Sequence, residues 1–124
     1  MNNNASIELS TDWCVSGSKS AKCTAQASNG YAGYGANSPS VLIGSTIHTT
    51  IDYKALSNCV FRIMYQLNGT WAYAKNISVN EGVGKIDTSA NIPSGATGVR
   101  IRFTDFTNGN GSVIYLDNFT IYLS

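Results

Sequence analysis

The sequence predicts an all-β protein folded as a two-sheet antiparallel β-sandwich. Three observations lead there. Ser, Thr, Asn and Gly number 15, 11, 13 and 12 among 124 residues, so turn formers and strand-surface residues dominate. Strong helix formers occur in no amphipathic run, and no helix of ordinary length fits. Finally, apolar and polar residues alternate over several runs bounded by Gly, Asn and Pro, the spacing of half-buried strands. The whole chain, 1–124, reads as one domain, with no repeat or linker.

The elements follow in order. A short first strand covers Ser6 to Ser10. A Gly-Ser loop leads to a second, Ala21 to Ala27. A glycine-rich segment, Asn29 to Asn37, reads as a loop; it lacks the Gly-Lys-Ser/Thr end and following helix of a phosphate loop. Long strands are expected from Ser45 to Tyr53, Cys59 to Leu67 and Thr70 to Val79. Later strands run from Gly98 to Phe106 and Ser112 to Leu123. Turns occupy Asn91 to Ala96 and Asn108 to Gly111.

Asn68-Gly69 is the strongest local signal, because Asn-Gly supplies the two positive φ values of a type I′ hairpin turn. Such a turn sets Leu67 opposite Thr70, Gln66 opposite Trp71, Tyr65 opposite Ala72 and Met64 opposite Tyr73. Continued regularly, it pairs Ile63 with Ala74 and Arg62 with Lys75. One hairpin face is then Phe61, Ile63, Tyr65, Leu67, Ala72 and Ala74, a core face. The other is Arg62, Met64, Gln66, Trp71, Tyr73 and Lys75. Further core aromatics are expected at Phe103 and Phe119.

The second face has the chemistry of a sugar-binding surface. Trp and Tyr cover the apolar C–H face of a sugar ring, while Arg and Gln pair with its hydroxyls. The strand from Gly98 has a polar side with Arg100, Arg102 and Thr104; that from Ser45 has one with His48, Thr50 and Asp52. Sharing a sheet with the hairpin, they would extend the surface. The candidate ligand-binding residues are therefore Trp71, Tyr73, Arg62, Gln66, Arg102 and His48.

Charge and cysteine usage narrow the class. Eight basic and seven acidic residues leave a net charge of +1, unlike the basic face of a nucleic-acid binder. No apolar run is long enough to span a membrane, and no secretory signal is apparent. Three cysteines leave at least one thiol unpaired within the chain. Either Cys14 and Cys23 are bridged, or Cys23 and Cys59 are buried thiols. No Cys lies in a nucleophile or zinc motif. No acidic pair lies on the aromatic face, as glycoside hydrolysis normally needs; Asp52 and Asp105 at strand ends are the nearest pair to consider. No catalytic residue is expected.

Several segments are similar to one known group. Val113 to Ile121, read as Val-Ile-Tyr-Leu-Asp-Asn-Phe-Thr-Ile, resembles the last strand of jelly-roll carbohydrate-binding modules. Those modules accompany glycoside hydrolases and have relatives in adhesins and phage tail proteins. Asn4 to Glu8 resembles their opening, with Ile7 in place of an aromatic, and Gly17 to Ala21 resembles their entry into the second strand. The resemblance implies a jelly-roll topology and a structural calcium ion held by the carboxylates of Glu8 and Asp117 and a backbone carbonyl near Lys19. It also implies a non-catalytic module recognising a neutral or cell-surface polysaccharide, extracellular, on a cell surface or on a virion. Such a module would be part of a larger multidomain or multimeric protein. Alternative roles are a structural or assembly domain of an adhesin or phage tail and, behind it, a jelly-roll glycan-degrading enzyme.

Overall fold

The computed structural model describes the backbone of residues 2–3, 5–10, 20–25, 31–37 and 46–123, and the side chains of 22–24 and 46–121. Among the described residues, ten strands form two antiparallel five-stranded sheets. The first sheet has the order β1 (Asn2–Asn3), β4 (Tyr31–Asn37), β9 (Gly98–Thr104), β6 (Cys59–Leu67), β7 (Thr70–Val79). The second has the order β2 (Ala5–Ser10), β3 (Ser20–Ala25), β10 (Val113–Leu123), β5 (Thr46–Ala55), β8 (Gly82–Asn91). From β4 onward the chain changes sheet at every step except the β6–β7 hairpin, which is jelly-roll winding. Among the described residues, no helix is long and apolar enough to cross a membrane.

Side chains alternate between core and surface along each strand. Ile47 and Ile51 of β5, Phe61 and Ile63 of β6, Val99, Ile101 and Phe103 of β9 and Ile114 of β10 meet between the sheets. The Phe61 and Phe103 rings lie 5.1 Å apart and tilted, and Tyr53 approaches Phe103 at 6.4 Å. Such tilted pairs add to the free energy of burial alone. Cys23 and Cys59 lie in this core as free thiols, and burial pushes each pKa up to about 12. Cys23 is therefore not bridged; Cys14 lies outside the described residues.

Four sequence expectations change. The glycine-rich segment is not a loop from Tyr31 onward. It is β4, paired with β9 so that Gly33 and Gly35 stand opposite Arg102 and Arg100. β8 was not expected at all: only Ile86 and Ala90 of its ten residues are buried apolar side chains, too few for a visible alternation. The β6–β7 register departs from a regular hairpin below Met64. Phe119, expected in the core, is 38% exposed. A bulge in β10 explains it: pairing jumps from Asp117–Asp52 to Thr120–Thr50, so Asn118 and Phe119 together stand opposite Ile51, one residue more than a regular ladder holds. Asn118 accommodates the bulge with φ 53, a conformation that Asn tolerates.

Candidate functional site

The site begins at the hairpin turn. Asn68 and Gly69 have φ values of 53 and 77, as a type I′ turn requires. Leu67–Thr70, Gln66–Trp71, Tyr65–Ala72 and Met64–Tyr73 pair as the sequence predicts. A bulge then inserts Ala74, so Lys75 falls opposite Ile63 and Asn76 opposite Arg62. The regular register would have set Lys75 against Arg62, and like charges directly opposite destabilise a sheet. Instead Arg62 Nε donates to Asn76 Oδ1 at 2.9 Å.

Arg62 is fixed from two further sides. Its Nη2 lies 2.6 Å from Asp105 Oδ2, and its guanidinium carbon lies 4.8 Å from the centre of the Tyr73 ring. Asp105 follows β9 with φ 53, a left-handed conformation that Asp also tolerates. A second pair repeats the theme: the Arg100 guanidinium carbon lies 3.8 Å from the centre of the Trp71 ring. Both are cation–π contacts. Met64, between these pairs, is only 5% exposed although it belongs to the outward face of β6. Gln66 is held to the 91–97 turn: its Oε1 accepts from Thr97 Oγ1 at 3.4 Å and its carbonyl from Thr97 N at 2.9 Å. Tyr73 is 55% exposed.

Trp71, Tyr73, Arg62, Gln66 and Arg102 thus share the outward face of the first sheet, with Arg102 directly opposite Arg62 across β9 and β6. Arg100 and Asn76 complete the arrangement. The alternation of β9 carries the signal for Arg100; Asn76 is visible only once the bulge is known. His48 does not belong there. It lies on β5 in the second sheet, opposite Ser89 and Tyr122, because the chain changes sheet between β5 and β6. Asp52 and Asp105 do not approach each other either: Asp52 pairs with Asp117 in the second sheet and Asp105 bonds Arg62 on the first.

The expected metal ligands are only partly described. Lys19 and the Glu8 side chain lie outside the described residues. In the backbone register Glu8 stands opposite Lys22 and Lys22 opposite Tyr115, so β3 separates Glu8 from the strand that carries Asp117. Asp117 Oδ1 accepts the Asn118 amide at 2.9 Å, and Asn118 Nδ2 donates to Asp52 Oδ2 at 2.8 Å. Among the described residues no three His, Cys, Asp or Glu side chains gather as a metal cluster.

No protein-family profile and no curated protein matches the chain. Solved structures do. The chain is similar to the C-terminal family 22 carbohydrate-binding module of Clostridium thermocellum Xyn10B, with a TM-score of 0.74 and 19% identity over 98% of this chain and 82% of that one. It is similar to the CBM22-1 xylan-binding domain of Paenibacillus barcinonensis Xyn10C, with a TM-score of 0.64 and 14% identity over 96% and 81%. The enzymatically active domain of bacteriophage CBA120 tailspike protein 4 matches at a TM-score of 0.63 and 14% identity, over 99% of this chain and 19% of that one. The chain therefore has the jelly-roll β-sandwich fold of the carbohydrate-binding modules.

Proposed function

We propose that the chain is a non-catalytic glycan-binding module, with the outward face of β6, β7 and β9 as its binding surface. One observation carries this reading: an exposed Tyr73 and a half-buried Trp71 stand side by side on one strand, each with a guanidinium at its ring. Rings that contact sugar C–H groups, flanked by fixed donors, suit a carbohydrate. The fold shared with xylan-binding domains supports it. Among the described residues, Asp105 is the one carboxylate on this face, and it is bonded to Arg62. That arrangement favours binding over hydrolysis, which normally uses two facing carboxylates.

Shallow single-site recognition gives weak affinity, so such a module acts within a larger or multivalent protein, at a cell surface, outside the cell or on a virion. Calcium enters as a structural tie, held by Asp117, Glu8 and a carbonyl near Lys19, oxygen donors of the kind that calcium takes. A glycan array probed with the protein, with and without chelator, tests the reading. Retention on a defined set of glycans is expected; retention on none contradicts it. The likeness to a tailspike domain favours a second reading, an assembly domain of a phage tail or adhesin. In that case Trp71 and Tyr73 would be buried in a stable oligomer, which sedimentation detects.

A further inference from the structure

The charges of the site are unevenly placed. All three arginines of the chain, Arg62, Arg100 and Arg102, lie on the outward face of the first sheet. There Asp105 pairs with Arg62. The outward side of the second sheet, by contrast, mixes Lys22, Lys54 and Lys85 with Asp52, Asp87 and Asp117. A chain of net charge +1 thus concentrates positive charge where its aromatic rings are.

Packing does not favour this arrangement. Arg62 and Arg102 are direct cross-strand partners, a pairing that works against the sheet. Next to β9, the residues opposite Arg100 and Arg102 are Gly35 and Gly33, which have no side chain to crowd the guanidiniums. The hydrogen-bonding groups are lopsided too. Guanidiniums only donate, and two nearby acceptors are already engaged: Gln66 Oε1 by Thr97 and Asn76 Oδ1 by Arg62. A neutral hydroxyl both donates and accepts, so it uses half of what this surface offers. A carboxylate only accepts, and its two oxygens match the planar fork of an arginine.

We propose that the ligand is an acidic glycan bearing uronate carboxylates, bound with its sugar rings on Trp71 and Tyr73 and a carboxylate at Arg100 and Arg102. This rests on the glycan-binding reading and names the substrate class of the same site. Arg100 and Arg102 lie about 6.5–7 Å apart along β9, close enough to engage one uronate or two neighbouring ones.

The experiment compares retention on glucuronoxylan, alginate, polygalacturonate and hyaluronan, each beside its own carboxyl-reduced derivative, at low and at about 0.5 M salt. At least one uronate polymer should be held about tenfold more tightly than its reduced form, a preference that salt erodes because exposed charges are screened. Arg102→Gln should lose the preference, bringing the uronate polymer and its reduced form to equal retention. Asp105→Asn should strengthen uronate binding by freeing Arg62, and Asn accepts the left-handed backbone at that position. This gain of function cannot come from misfolding. Equal retention of acidic and reduced forms would overturn the acidic-ligand proposal and leave the glycan-binding reading standing. Retention of neither form of any polymer would overturn both. Tighter binding to single-stranded DNA than to every acidic polymer would also overturn the proposal, identifying the patch as a nucleic-acid surface.

Discussion

Asn76, not Lys75, stands opposite Arg62. A single inserted residue, Ala74, turns a repulsive cross-strand pair into a hydrogen bond and fixes Arg62 between Asn76, Asp105 and Tyr73. Asn76→Ala should therefore lower stability by about 1 kcal/mol, the usual worth of such a bond. Asn76→Lys should cost more, because it restores the like-charge pair. Urea unfolding of both variants checks the order, and equal stability of both with the wild type would refute the clamp.

The buried thiols give a pH dependence of known sign. Burial raises the pKa of Cys23 and of Cys59 from 9.0 to about 12. A folded-state pKa above the unfolded value means full stability below pH 9 and loss as pH rises from about 9 toward 12, because the unfolded chain ionises first. Unfolding free energy measured from pH 8 to 11 should fall, and less so in Cys59→Ala than in the wild type. At pH 8 both thiols should resist labelling until the chain is unfolded.

Two aromatics separate core from surface. Phe103, 1% exposed and packed on Phe61, should cost about 3–5 kcal/mol when cut to Ala. Phe119, turned outward by the β10 bulge, should cost under about 1 kcal/mol. Comparable losses at both positions would contradict the bulge.

Calcium removal has a distinct signature. An ion that binds only the folded chain stabilises it by mass action, about 2.7 kcal/mol at a hundredfold excess over its dissociation constant. Chelator should lower the melting temperature, and Asp117→Ala should remove that response. An unchanged melting curve on chelation would dismiss the ion.

Seven of the ten described strands and the β6–β7 hairpin were legible in the sequence, and the reasons are local. Alternation in Phe61 to Tyr65 and Val99 to Phe103 is strong because one face is fully buried, and Asn68-Gly69 permits one turn geometry. What was not legible depends on partners distant in sequence. The Ala74 bulge answers to Arg62 across the hairpin. His48 looks equivalent to Arg102 in pattern, yet the chain changes sheet between β5 and β6 and carries it to the other layer. β8 is held chiefly by its pairing with β5, and pairing with another strand has no mark in its own sequence.

The most direct test measures melting and glycan retention together on Tyr73→Ala and Trp71→Ala, using a glycan that the wild type binds. Tyr73 is 55% exposed, so its loss should shift stability by no more than about 0.5 kcal/mol while reducing retention at least about tenfold. Trp71 is half-buried under Arg100, so its loss should cost about 1–2 kcal/mol and abolish most retention. Undiminished retention in both variants, whatever their stability, would contradict the assignment of this face as the binding surface.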